Sequence, residues 1–253
     1  MDYTRRFDKR AIDYSKYRPS YPPEILNILK SHINFDPKTI VADIGSGTGL
    51  LSNLFLQNGN PVYAVEPNEQ MRTLAEQALS SYANFVSVNG RAEKTTLENA
   101  SIDLVTVGQA LHWFDPQLST NEFARILRPE GNVLVLYNDR NKEDPTMRDY
   151  ETIVSRHEKD RAVVPDVNDE YFSRFFQNGS HKSFKLRNEQ LLDREGVLGR
   201  LTSASYMPNV DDERFNSLKS DVSALFDRWQ KDGKVRLLYD TMLSLGPVRR
   251  GHE

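Results

Sequence analysis

The sequence contains no cysteine. That removes disulfide frameworks, thiolate zinc sites and cysteine nucleophiles together, and it fits a reducing compartment. Long hydrophobic runs are missing too: an apolar stretch such as Val133 to Tyr137 falls far short of the roughly 20 residues a membrane helix needs. The first thirty residues mix Asp2, Asp8 and Asp13 with basic residues and hold no apolar core, so no signal peptide is expected and a cytoplasmic protein is. Neither charge sign is in excess. With 33 basic and 36 acidic side chains the net charge is −3, which draws the chain to neither nucleic acid nor membrane. The five histidines, at 32, 112, 157, 181 and 252, form no i,i+4 pair and no zinc spacing, so no metal is expected. What is present is a globular balance, 38% hydrophobic and 27% charged, in 253 residues, enough chain to bury a sizeable core.

The charge density divides the chain. Residues 1–140 carry 14 basic and 16 acidic side chains, whereas 141–253 carry 19 and 20 in a shorter span. The first part alternates short apolar runs with amphipathic stretches. Strands are expected at Thr39–Ile44, Pro61–Val65, Asn84–Val88, Ile102–Val107 and Val133–Tyr137. Helices are expected at Leu50–Gln57, at Asn68–Leu79 with Asn68 as its cap, and at Gln117–Leu127, ended by Pro129 and Gly131. This order predicts an α/β doubly wound sheet. Beyond 140, helices are expected over 145–160, 168–177, 189–201 and 212–230, with strands at Lys182–Leu186 and Val235–Leu243. The organisation is then a flap and helix (1–35), a ligand-binding α/β core (36–140), and a helical cap with the last strands (141–253) completing the same domain. Such a cap belongs above the carboxyl ends of the strands, where ligands of open α/β sheets bind.

The informative segment runs from Asp43 through Gly45, Ser46, Gly47, Thr48 and Gly49. Alternate glycines after a strand and before a helix permit positive φ and let a ligand approach the backbone. The dinucleotide spacing fails, because Leu50 stands where the frame from Gly45 needs glycine or alanine, and Ser52 where the frame from Gly47 does. The P-loop fails as well, for want of Gly-Lys-Ser/Thr. Asp43 at the end of a buried strand needs a partner; it opposes a diphosphate and suits an amine. Glu66, ending the second strand, can accept both hydroxyls of a ribose. A ribose joined to a cationic amino-acid end, without phosphates, describes S-adenosylmethionine.

The run from Asp43 to Gly49 with Val62–Pro67 (VYAVEP) resembles the class I S-adenosylmethionine-dependent methyltransferases. Tyr14–Pro22, Gly90–Glu93, Gly108–Asp115 and Ile126–Gly131 resemble the small-molecule group that includes trans-aconitate methyltransferase. The resemblance implies a seven-stranded Rossmann-like sheet, mostly parallel with an antiparallel last strand, and a small-molecule methyl acceptor; a carboxylate, hydroxyl or carbon acceptor is conceivable. It implies that Gly45, Gly47 and Gly49 line the methionine and ribose portion, and that Glu66 holds the ribose. By the same resemblance Pro67 and Met71 lie near the adenine, and Ala92 and Glu93 flank its edge. Many relatives carry aspartate where this chain has Arg91.

Other candidates come from position and residue type. Gln109, at the fourth strand's end, is placed to orient the methionine end or the substrate by hydrogen bonding. His112, Trp113 and Phe114 follow that strand, so His112 is the candidate base and Trp113 a candidate pocket wall; the alternative is an aromatic plug. Tyr14 and Arg18 belong to a basic, tyrosine-rich run that reads as a flap reaching an acidic group. Arg200, Ser203, Ser205 and Tyr206, in the cap, are candidates to face the substrate. An NAD(P)-dependent oxidoreductase and a non-catalytic nucleotide-binding module are the rival readings.

Overall fold

The TIVADI run forms strand β1 (Val41–Ile44), buried at all four positions. It is flanked on both sides by parallel partners, β2 (Val62–Val65) and β4 (Ile102–Gly108). A strand buried on both faces reads as a near-continuous apolar run rather than an alternating one, and here the run is interrupted only by Asp43. Outside β2 lies β3 (Phe85–Val88), and beside β4 lies β5 (Leu127–Arg140), both parallel. The computed structural model describes residues 16–159, 171, 172 and 174–250. Two later strands, β6 (Lys182–Leu192) and β7 (Val235–Pro247), complete the sheet, with β7 antiparallel to both β5 and β6. The order β3-β2-β1-β4-β5-β7-β6 is the doubly wound, mostly parallel sheet with an antiparallel last strand that the alternation and the resemblance predict.

Period-two alternation sorts the strand side chains onto two faces. Val41, Leu104, Leu134 and Leu136 pack on one face with Leu29 of α1 (Glu24–His32), Phe55 of α2 (Leu50–Gln57) and Leu79 of α3 (Glu69–Leu79). Ala42, Ile44, Val105 and Val135 pack on the other with Phe123 of α4 (Pro116–Ile126). A third cluster joins α5 (Pro145–His157), α6 (Arg194–Thr202) and α7 (Phe215–Trp229) to Val235, Leu237 and Tyr239, the first half of β7. The second half of β7 contributes Leu243 and Leu245 to the sheet core. One long strand therefore ties the helical cap to the α/β core.

Helix starts follow from side-chain caps. Asn68 accepts from the Met71 amide at 2.9 Å, as expected from its position. Asp115 and Asp144 cap α4 and α5 in the same way, each followed by proline at the first helical position.

The structure corrects four boundaries. Residues 189–192, expected to be helical, continue β6, because Leu192 pairs with Val235 and Asp193 then caps α6 through the Gly196 amide at 2.7 Å. β5 starts at Leu127 and runs to Arg140, passing through Pro129 and Gly131; its register on β4 shifts between Ile102 and Leu104. β7 runs on to Pro247. The helix expected to reach 160 ends at His157, with Glu158 extended. Of the helix expected over 168–177, residues 168–170 and 173 lie outside the described residues; Tyr171 and Phe172 are helical, and Phe176 forms an isolated bridge to Val248.

Candidate active site

The glycine loop connects β1 to α2. Gly45, Gly47 and Gly49 all have positive φ, at 68°, 57° and 83°. A side chain is excluded sterically at two of them. A Cβ on Gly45 would lie 2.8 Å from Ala110 Cβ, and one on Gly49 would lie 2.6 Å from Leu79 Cδ1. Gly49 heads α2 without a side-chain cap. The loop thus presents backbone, and the positive end of a helix, to whatever binds there.

Asp43 is 1% exposed. Its neighbours are hydroxyls: Ser52 Oγ donates to Oδ2 at 2.6 Å and Thr106 Oγ1 to Oδ1 at 3.2 Å. Both partners were missed in the sequence. Thr106 is set by strand register, opposite Asp43 on β4; Ser52 lies in the first turn of α2. Burial pushes the Asp43 carboxyl up to about 6, while the Ser52 and Thr106 bonds pull it back down. Among the described residues its side-chain hydrogen-bond partners are hydroxyls, and no ion pair is made to it.

Glu66 stands at the end of β2 with both oxygens engaged. Its Oε2 accepts from the Gly47 amide at 2.9 Å and its Oε1 from the Asn68 amide at 2.8 Å. Burial raises its carboxyl from the usual range, and these two amides oppose the rise. Each oxygen keeps a second lone pair for a further donor. Met71 meets the loop from α3, its Sδ 3.5 Å from where a Gly47 Cβ would sit. Ser46 Oγ and Thr48 Oγ1 are buried with no hydrogen-bond partner. Two orphaned hydroxyls, a backbone-lined loop and a desolvated carboxylate fit a polar ligand that carries an amine.

A cavity of about 730 Å³ opens beside this loop. Asp43, Gly45, Ser46 and Gly47 line it from the sheet, with Gln109 and His112 following β4. Arg18 of the flap and Tyr206 of the cap line it from above. Gly49, Glu66, Pro67, Met71, Ala92, Glu93 and Trp113 lie outside its lining, although Glu66 and Met71 reach the loop through Gly47. Ala92 is buried, and Glu93 accepts from the Asp115 amide at 3.0 Å. Tyr14 lies outside the described residues. Ser203 is fully buried, its hydroxyl donating to the Arg200 carbonyl at 2.8 Å.

Gln109 has φ of 58°, a conformation that strains any residue with a Cβ. Its Nε2 donates to the Asn138 carbonyl at 3.3 Å, holding it at the cavity wall. His112 Nδ1 is 3.3 Å from the Tyr137 hydroxyl. Burial lowers the imidazole to about 4, so it is neutral at pH 7. Its ring centroid is 4.6 Å from that of Trp113, which packs into the core. Tyr137 was missed as a site residue because it sits inside an apolar strand run, where only the three-dimensional position distinguishes it.

The flap is held to the cap by side chains far apart in sequence. Tyr17 donates to Glu195 at 3.0 Å, and its carbonyl accepts from Gln190 at 3.1 Å. A Cβ on Gly199 would lie 2.2 Å from the Tyr17 ring, so glycine there is the condition for the contact.

Comparison with known proteins agrees with this geometry. Residues 42–135 match the family model of a methyltransferase domain. An uncharacterized methyltransferase of Mycobacterium bovis is 33% identical over 168 residues, 65% of this chain and 66% of its own length. The matched chain thus spans just under two thirds of that relative. A solved structure from Anaeromyxobacter dehalogenans, provisionally assigned as a type II methyltransferase, superposes with a TM-score of 0.68 at 21% identity, covering 93% of this chain and 100% of that one. Phosphoethanolamine N-methyltransferase 2 of Haemonchus contortus, solved with phosphomonomethylethanolamine and S-adenosylhomocysteine, gives 0.55 at 14% identity over 95% of this chain and 57% of that one. At these identities the structural likeness speaks for the fold. Fold, glycine loop and sequence match converge on one likeness: residues 42–135 are similar to a methyltransferase domain, and the chain shares its fold with solved methyltransferase structures.

Proposed function

We propose that this chain transfers the methyl group of S-adenosylmethionine to a small-molecule acceptor held between the glycine loop and the helical cap. The observation that carries the reading is a cavity lined by both: Asp43 and Gly45 to Thr48 on one side, Arg200 and Tyr206 on the other. Its volume is within the range of small-ligand sites. In this reading Gly45, Ser46, Gly47 and Gly49 hold the donor's methionine and ribose portion, Asp43 faces its ammonium, and Glu66 takes the ribose hydroxyls. Pro67, Met71, Ala92 and Glu93 surround the adenine, and Gln109 orients the methionine end. Tyr14, Arg18, Trp113 and Tyr206 contribute to the acceptor side. When bound, S-adenosylmethionine supplies an activated methyl, and cleavage of its carbon–sulfur bond leaves both electrons on sulfur.

The protein's work is then alignment and exclusion of water. A hydroxyl acceptor must lose a proton on methylation, and an imidazole held near 4 stores that proton poorly at neutral pH. A carboxylate acceptor releases none. His112 therefore serves as a neutral wall anchored to Tyr137, and the acceptor oxygen is already anionic.

A thermal-shift panel tests the reading. S-adenosylhomocysteine at 100 times its Kd should stabilise the fold by about 2.7 kcal/mol, whereas NAD should leave Tm unchanged; the reverse pattern would support the oxidoreductase reading. Transfer of labelled methyl to a metabolite panel separates enzyme from binding module.

A further inference from the structure

Asn138 is where the flap meets the ends of four strands. It lies near the carboxyl end of β5 and lines the cavity. Its side-chain oxygen accepts from the Thr241 hydroxyl on β7 at 2.6 Å and from Asn188 Nδ2 on β6 at 3.2 Å. Its Nδ2 donates to the Ser20 carbonyl at 3.3 Å, and Asn188 Nδ2 donates to the same carbonyl at 2.7 Å. Its own carbonyl accepts from Gln109, just past β4. Neither amide is free to turn round. The Ser20 carbonyl only accepts, and the Glu189 amide, which bonds Asn188 Oδ1 at 2.9 Å, only donates.

The sheet does not need these bonds, because β7 is already paired along its length with β5 and β6. What they hold is the flap. Ser20 is exposed, while Pro19 and Tyr21 on either side of it are buried. Arg18, Pro19 and Tyr21 line the cavity, and Ser20 does not. Gripping the carbonyl at 20 therefore fixes its neighbours in the cavity wall. The Tyr21 hydroxyl lands on the end of β4, since a Cβ on Gly108 would lie 2.5 Å from it. Gln109 comes next, and a positive φ persists there only where the surroundings over-determine it. The Asn138 carbonyl holds its side chain, and the Leu136 carbonyl accepts from its amide at 2.9 Å.

We infer that Asn138 is a positioning residue for methyl transfer: it sets the flap wall and the Gln109 side chain of the cavity relative to each other, and so governs how long a bound ligand is retained. This rests on the methyl-transfer reading above. Loss of the grip on Ser20 frees one wall, so a ligand escapes faster, while entry, which needs that wall to part, is not slowed.

The test uses the full chain and S-adenosylhomocysteine, with association and dissociation followed by stopped-flow fluorescence. Asn138→Asp keeps the oxygen that Thr241 and Asn188 use and sets a second oxygen against the Ser20 carbonyl. Asn188→Ala removes the other donor from a residue outside the cavity lining, with no new charge. Each should raise the dissociation rate about 5- to 10-fold, the factor expected for one or two neutral hydrogen bonds, with association no slower. The double variant should be no worse than the more severe single one, because both amides act through one carbonyl. In the ligand-free variants trypsin should cut after Lys16 faster than in wild type, with Tm little changed.

Wild-type dissociation rates in both variants would overturn the inference. So would slower association accompanied by a lower Tm, which would make Asn138 a residue of the fold alone. Fully additive effects would overturn it as well, since the two amides would then act apart. Failure of the wild type to bind S-adenosylhomocysteine at all would instead strike the methyl-transfer reading. Cleavage after Lys16 is measured without the donor, so the two failures are separable.

Discussion

Ser52 Oγ donates to Asp43 Oδ2 at 2.6 Å, joining the first turn of α2 to the end of β1 beneath the glycine loop. The bond satisfies a carboxylate that desolvation would otherwise neutralise, and it places that carboxylate at the positive end of a helix. Asp43 can then remain an anion at neutral pH inside a dry site, where its attraction for an ammonium is strongest.

Asp43→Asn should stabilise the ligand-free protein at pH 7.5 and not at pH 4. The folded carboxyl sits near 6, above its usual value, so its protonated form is the one the fold favours. The stability it contributes is fully present below the unfolded pKa and is lost as pH rises through about 6. A rise of roughly two units corresponds to about 3 kcal/mol at most. Thermal melts of both proteins across pH 4–8 measure the difference, and equal Tm values at pH 7.5 would count against a strained anion.

Glu66→Ala should weaken S-adenosylhomocysteine binding by roughly 10- to 100-fold, since hydrogen bonds to a charged group are each worth about 1.5–3 kcal/mol. The variant also leaves the Gly47 and Asn68 amides without their acceptor. Calorimetry should show this loss, and wild-type affinity would remove the ribose contact from the account.

His112→Asn should leave turnover within a few-fold of wild type between pH 6 and 8. With the imidazole near 4, the group is neutral throughout that range, and no limb of the pH profile belongs to it. A loss beyond 100-fold, with a limb near neutrality removed, would make His112 the base.

Gly199→Ala should detach the flap rather than unfold the domain. The added methyl would overlap the Tyr17 ring, whose anchors at Glu195 and Gln190 are all local to that face. Limited proteolysis should cut near residue 17 faster, with Tm of the remainder little changed.

The glycine loop, the strand order and the Asn68 cap were legible because each is written in a few consecutive residues. The end of β6 was not. Its residues 189–192 suit a helix locally, and pairing with β7 decides the outcome. Asp43–Thr106 spans 63 positions and Arg200–Tyr239 spans 39, so neither partnership leaves a local trace. The acidic residue before the loop could be read as needing a partner; the hydroxyls that supply it are a product of register. Likewise the cap residues were visible as candidates, while the bond from Arg200 to the Tyr239 hydroxyl depends on how α6 packs against β7.

The most direct test is calorimetric titration of S-adenosylhomocysteine into wild type and Asp43→Asn at pH 7.5 and pH 5. The wild type should bind more weakly at pH 5, where Asp43 takes up a proton, and the variant should be weak and equal at both. Affinity independent of pH in the wild type and matched by the variant would show that the carboxylate at the loop's entrance has no part in holding the donor.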